Sequence, residues 1–201
     1  KESVSRLADI TKLSNSKSYV VHLSCRESLE TVKIAREKNI DMIVETCPQY
    51  LLLEDNLYNK DKFEGAKYVM SPPLRKKEDI NYLWEGLSSG DIQTVGTDHC
   101  SFNFKGQKDL GIDDFSKIPN GAPGVEHRLA LLYTYGVLEN RISVNKFVEV
   151  TSTNAAKIFG MYPKKGEIAV GSDADIVILN INKEETISYK TQKQNVDYTP
   201  Y

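Results

Sequence analysis

The sequence predicts an α/β fold built on parallel strands, with a short β-rich segment at its end. Three observations carry that prediction. Apolar, β-branched runs alternate with amphipathic segments between Ser18 and Val95, the strand–helix–strand pattern of a parallel sheet. The run Ile92-Gln93-Thr94-Val95 is broken at Gly96 and followed by Asp98 and His99. An acid and an imidazole thus arrive at a strand C-terminus, where parallel sheets and barrels bind ligands. From Lys164 onward helical spacing gives way to short strand-like runs between turns.

Residues 2–13 carry Val4, Leu7, Ala8 and Ile10 on one rough apolar face and are expected to be helical. A polar turn at 15–17 leads to a strand at 18–23, with His22 near its end. Leu29, Val32 and Ala35 stand at helical spacing within 27–38, and 40–45 is the next strand. Residues 56–65 are polar and loop-like. The short apolar run 66–70 stops at Ser71-Pro72-Pro73, because proline cannot continue a central strand. Ile80, Leu83, Trp84 and Leu87 mark a helix over 78–87, which Gly90 ends before the strand at 92–95. Residues 102–124 form a long loop holding four Gly and two Pro, and loops of that length in compact domains are usually functional. Residues 125–135, 144–150 and 154–159 read as helices. Strands are expected at 164–172 and 174–179, with a third at 186–189, forming an all-β element beside the first unit.

Composition limits the classes of function. The chain has 201 residues, 40% hydrophobic and 27% charged, enough for one medium domain and a small appendage. A net charge of -2 offers no basic surface for nucleic acid or membrane. Three widely spaced Cys without a C-x-x-C pair read as reduced thiols, which points to the cytoplasm. No apolar run approaches the roughly 20 residues of a membrane span. The chain begins with Lys1 rather than Met.

The residues that could carry chemistry are few. Asp98 and His99 could be metal ligands or an acid/base pair, or a helix-capping Asp beside a packed His. His22 could join Asp98 at a shared Zn²⁺ or Mn²⁺, since imidazole and carboxylate suit both ions; it could equally be a satisfied core histidine. A catalytic zinc needs about three protein ligands and an open position, and the chain has only three His. His127 falls in a predicted helix and reads as structural. The sequence therefore implies either no metal or a site completed elsewhere.

Six segments narrow these choices. VVHLS at 20–24, ETCPQYL at 45–51, AKYVMSPPLR at 66–75, QTVGTDHCSFNF at 93–104, KIPNGAPGVEHR at 117–128 and KGEIAVGSDADIVI at 165–178 resemble, in order, the D-hydantoinase/dihydropyrimidinase family. The last segment alone is shared more widely among metal-dependent amidohydrolases. The resemblance implies a (β/α)₈ barrel with a small β-sandwich, of which this chain looks like the C-terminal part. Residues 1–162 would belong to the barrel and 163–201 to the return segment of the sandwich. It implies a pair of divalent ions, zinc by resemblance, whose remaining ligands lie upstream: an H-x-H pair, a carbamylated lysine and a further His.

Residue by residue, His22 matches a ligand of the second metal. Asp98 matches a ligand of the first metal that also serves as general base. Ser71 and Asn120 match positions whose main-chain groups bind the cyclic amide. His99 matches no ligand, and Cys47 and Cys100 read as packing residues. The implied activity is hydrolysis of hydantoins or dihydropyrimidines to N-carbamoyl amino acids, by a homo-oligomer, a tetramer by resemblance, acting on small molecules. Dihydroorotase- or allantoinase-type hydrolysis is the alternative within the superfamily. A non-catalytic, dihydropyrimidinase-related scaffold protein is the alternative from another class.

Overall fold

Three short parallel strands organise the chain. β1 (Ser18–Val20), β2 (Met42–Thr46) and β3 (Thr94–Val95) pair in the order β1-β2-β3. Ser18 aligns with Met42, and Glu45 with Thr94. The expected strands at 18–23, 40–45 and 92–95 are therefore present but shorter, and all are parallel. The computed structural model describes residues 1–201.

Burial on β2 alternates strictly, with Met42, Val44 and Thr46 buried and Ile43 and Glu45 only half-buried. The buried face is covered by α2 (Arg26–Glu37) and α4 (Lys77–Ser89). Leu29, Val32, Leu83 and Leu87 from these helices are fully buried in one core with Val44. Burying each such side chain contributes about 1.5–3 kcal/mol. The other face is polar: the Tyr19 hydroxyl donates to Glu45 at 2.8 Å and lies 2.6 Å from the Thr94 hydroxyl. Gly96 follows from this packing. A Cβ there would sit 2.7–2.8 Å from the Glu45 carboxylate, so any larger residue would displace a side chain that ties two strands together.

α1 (Glu2–Leu13) packs on α2, and Gly90 ends α4 in left-handed backbone at φ 88°, as its place after the apolar stripe predicts. α3 (Pro48–Leu52) starts directly beyond β2. Between α3 and α4 the chain makes 3₁₀ turns at Asp55–Asn59 and Glu64–Tyr68. α5 (Arg128–Leu132) begins three residues later than the sequence predicts and continues as a π-helical turn, Tyr133–Leu138. Gly124 and Val125, just before α5, both donate their N–H groups to the His99 ring. α6 (Val144–Val148) likewise passes through a π turn, Glu149–Thr153, into α7 (Asn154–Ile158).

The expected strands at 164–172, 174–179 and 186–189 do not form, and no ladder exists beyond Val95. A strand needs a hydrogen-bonded neighbour, and nothing in this chain runs beside the segment. Its apolar residues stay in water: Ile168 is 89% exposed and Ile178 90%. The last residues behave differently. Val196, Tyr198 and Pro200 are buried, and the Asp197 carboxylate accepts the N–H groups of Phe104 and Lys105 at 2.6 and 2.9 Å. No helix is long and apolar enough to cross a membrane.

Candidate active site at the strand C-termini

His22 lies two residues beyond β1 and Asp98 three beyond β3. Because the strands are parallel and share one sheet, both reach its C-terminal edge, on either side of β2. Neighbouring strands are about 4.8 Å apart, so the chains carrying them are separated by roughly 10 Å. His22 is half-buried and Asp98 exposed. Both adopt left-handed backbone, at φ 41° and φ 47°. Few non-glycine residues do so, although Asp and His tolerate it better than most, and such backbone clusters at functional sites.

The neighbours of these residues hold that backbone in place. Beside His22, the Leu23 N–H donates to Glu45 O and the Leu23 carbonyl accepts the buried Thr46 hydroxyl, each at 2.8 Å. Beside Asp98, Gln49 Nε2 donates to Thr97 O at 3.1 Å, and Arg128 reaches back to Val95 O at 3.0 Å. On the far side, Cys100 N–H donates to Ala122 O at 3.1 Å, and His99 bridges to Ala122. His99 Nδ1 accepts from Gly124 N at 3.1 Å and Val125 N at 3.3 Å. That nitrogen must carry a lone pair, so the ring anchors the 122–125 segment.

Ser71 and Asn120, 49 positions apart, are brought together, with Ser71 Oγ 3.4 Å from Asn120 Oδ1 and both residues exposed. The Gly121 N–H donates to Val69 O at 3.0 Å. Gly121 also lies against Cys100, where a Cβ would come within 2.4 Å of the cysteine Cβ. The Ser71–Asn120 pair is thereby joined to the segment bearing Asp98. Burial raises the thiol pKa of Cys47 and, to a lesser extent, that of Cys100, and a protonated thiol packs rather than reacts. His127 is buried at the start of α5, edge-on to Tyr201.

Four supporting residues carry no chemical signature in sequence: Gln49, Tyr50, Lys108 and Arg128. Tyr50 donates to Pro72 O at 2.9 Å. Lys108 is fully buried and donates to two carbonyls. The one available signal was position, since Gln49 and Tyr50 stand directly after a strand and Lys108 lies inside the long loop.

As metal donors, His22 and Asp98 fit two places of a zinc coordination set, an imidazole nitrogen and a carboxylate oxygen. No group of three or more His, Cys, Asp or Glu in the chain is close enough to hold an ion. The donor types fit a zinc ion, but two donors are fewer than the three or so protein ligands a catalytic zinc requires.

Known proteins resemble the chain in sequence and fold. Over 200 residues the chain is 50% identical to the D-hydantoinase of Geobacillus stearothermophilus, covering 100% of this chain and 42% of that relative. It is 47% identical to the D-hydantoinase of Ralstonia pickettii, covering 44% of its length. The chain thus spans less than half the length of the curated relatives it matches. Among solved structures, a dihydropyrimidinase from Brevibacillus agri superposes with a TM-score of 0.97 at 52% identity, covering 99% of this chain and 43% of that one. An L-hydantoinase (dihydropyrimidinase) from Arthrobacter aurescens gives 0.84 at 33% identity, covering 94% and 41%. Residues 5–199 match the model of the amidohydrolase family, and the chain belongs to that family.

Proposed function

We propose that the protein hydrolyses the cyclic amide bond of hydantoins or dihydropyrimidines, releasing N-carbamoyl amino acids. On this reading residues 1–162 are the C-terminal part of a (β/α)₈ barrel and 163–201 the return segment of a small β-sandwich. The observation that carries the reading is the joining of two segments. The Asp98 segment and the Ser71–Asn120 pair are fastened to each other through Cys100, Gly121 and Ala122. That arrangement suits a carboxylate beside a planar amide. The similarity to D-hydantoinases over the whole chain supports the same substrate class.

The main-chain groups of Ser71 and Asn120 would grip the edge of the cyclic amide and orient its carbonyl, which makes attack effectively unimolecular. Tyr50, through Pro72, keeps the Ser71 turn in place. Asp98 would take the proton from the attacking water and deliver it to the ring nitrogen as the C–N bond breaks. The amide carbon gains an oxygen, the nitrogen gains a proton, and the ring opens. His22 and Asp98 would hold zinc, which when bound lowers the pKa of water and polarises the carbonyl.

The test is Asp98→Asn in the full-length protein, which keeps the shape and removes the base. Loss of a positioned proton-transfer group costs about 10²–10⁴-fold in rate. Hydantoin turnover within a few-fold of wild type would exclude this role for Asp98.

A further inference from the structure

Lys108 has no place in the chemistry above, yet its environment is unusual. It opens a 3₁₀ turn, Lys108–Gly111, in the long loop, and it is 0% exposed. Lysine is almost never fully buried unless an acid accompanies it. Lys108 takes part in none of the chain's ion pairs, and the titratable group facing it is Cys100. Its ammonium instead donates to Val69 O and to Pro119 O, each at 2.9 Å. Val69 lies two residues before Ser71, and Pro119 immediately precedes Asn120. Val69 O also accepts the Gly121 N–H at 3.0 Å. One ammonium therefore bridges the two segments that carry the amide-binding residues. Among side chains, a compact head with three rotatable donors suits two carbonyls on converging chains.

We propose that Lys108 is a positioning residue that sets the gap between the Ser71 and Asn120 main chains, and with it the fit of the cyclic amide. The inference rests on the reading of those two residues as the substrate grip. Methionine in its place would keep much of the side-chain volume and leave two carbonyls facing an apolar group, so the two segments would move apart to find water.

The experiment uses Lys108→Met and Lys108→Gln in the full-length protein, with metal content and melting followed alongside kinetics. The expected result for Met is a KM for hydantoin raised about tenfold or more, with kcat and metal content near wild type. Gln, whose amide reaches one carbonyl, should fall between. Amide hydrogen exchange should quicken at 69–71 and 120–121 and nowhere else in the site. A purely structural lysine would lower the melting temperature and the active fraction without moving KM. Unchanged KM and unchanged exchange in a folded variant would overturn the proposal, as would failure of both variants to fold. If the wild type opens no cyclic amide, the functional reading fails, and the exchange result alone decides whether Lys108 braces the two segments.

Discussion

The Tyr50 hydroxyl donates to the Pro72 carbonyl at 2.9 Å, across 22 positions of sequence. Tyr50 is 2% exposed and stands in the short helix beyond β2, while Pro72 follows Ser71, proposed above as part of the substrate grip. The bond therefore ties the rigid sheet to a surface turn. Burial raises the pKa of this phenol, so it remains a donor throughout the neutral range.

Tyr50→Phe is expected to leave the ring packed and lose only this bond. The stability cost should be about 1 kcal/mol, the net worth of one hydrogen bond. The site should suffer more visibly. A loosened Ser71 turn should raise KM for hydantoin by roughly threefold to tenfold with kcat little changed. Steady-state kinetics on matched, fully melted and refolded samples would check this. An effect confined to stability would show that the Pro72 carbonyl has no bearing on binding.

The side chains of Ser71 and Asn120 should matter much less than their backbones. Both are exposed, and their mutual contact is long at 3.4 Å. Ser71→Ala and Asn120→Ala are each expected to change KM by less than about tenfold, which is 1.4 kcal/mol. A loss as deep as that of Asp98→Asn would mean that a side chain, not the main chain, handles the substrate.

Lys108 also predicts a pH signature. Burial lowers its ammonium pKa from 10.5 to about 8 in the folded protein. Between those values the unfolded chain holds a proton that the folded chain has lost, so this group makes stability rise with pH across about pH 8 to 10.5. The full effect is on the order of 3 kcal/mol. Cys47 acts in the opposite sense, since burial raises its thiol pKa and the folded state is penalised as pH passes about 9, above the unperturbed thiol value. The difference between wild type and Lys108→Met cancels the cysteine. Measured from pH 7 to 10, the melting temperature of the wild type relative to the variant should climb. A gap that stays flat would show that the ammonium titrates normally.

The parallel strands, α1, α2 and α4 were legible because each rests on local signals: β-branched runs, helical apolar spacing and Gly90 as a stop. The C-terminal segment was not. Ile168, Val170, Ile176 and Ile178 have strand propensity, but propensity is realised only against a neighbouring strand, and none lies alongside. The start of α5 at Arg128 was not legible either: the preceding Gly124 and Val125 are tied to the His99 ring, 25 and 26 positions away, a contact that local spacing does not reveal. In the site, Asp98 and His22 announced themselves by residue type and by their place at strand ends. Lys108 did not, since one lysine in a loop holding Lys105 and Lys117 gives no hint that it alone turns inward.

The last prediction concerns residues 1–201 made alone. β1 and β3 each pair only with β2, so each presents one unpaired edge, and open edges recruit other chains. The face bearing Tyr19, Ile43 and Glu45 is only half-buried, whereas strands of a closed parallel sheet are covered on both faces. Val170 is 109% exposed and Ile178 90%, with Ile168, Ile176 and Ile181 also exposed in the same segment, and a concentration of exposed apolar side chains favours association. Metal binding should be weak, because a catalytic zinc needs about three protein ligands and His22 and Asp98 offer two. The isolated chain is therefore expected to associate, to bind a hydrophobic dye, to melt without a sharp transition and to open no hydantoin in the presence of zinc. Sedimentation, calorimetry and a coupled assay on one preparation would decide it. A monomer with a cooperative melt and measurable turnover would mean that these 201 residues hold a complete site, and that His22 and Asp98 act with partners other than those the amidohydrolase reading requires.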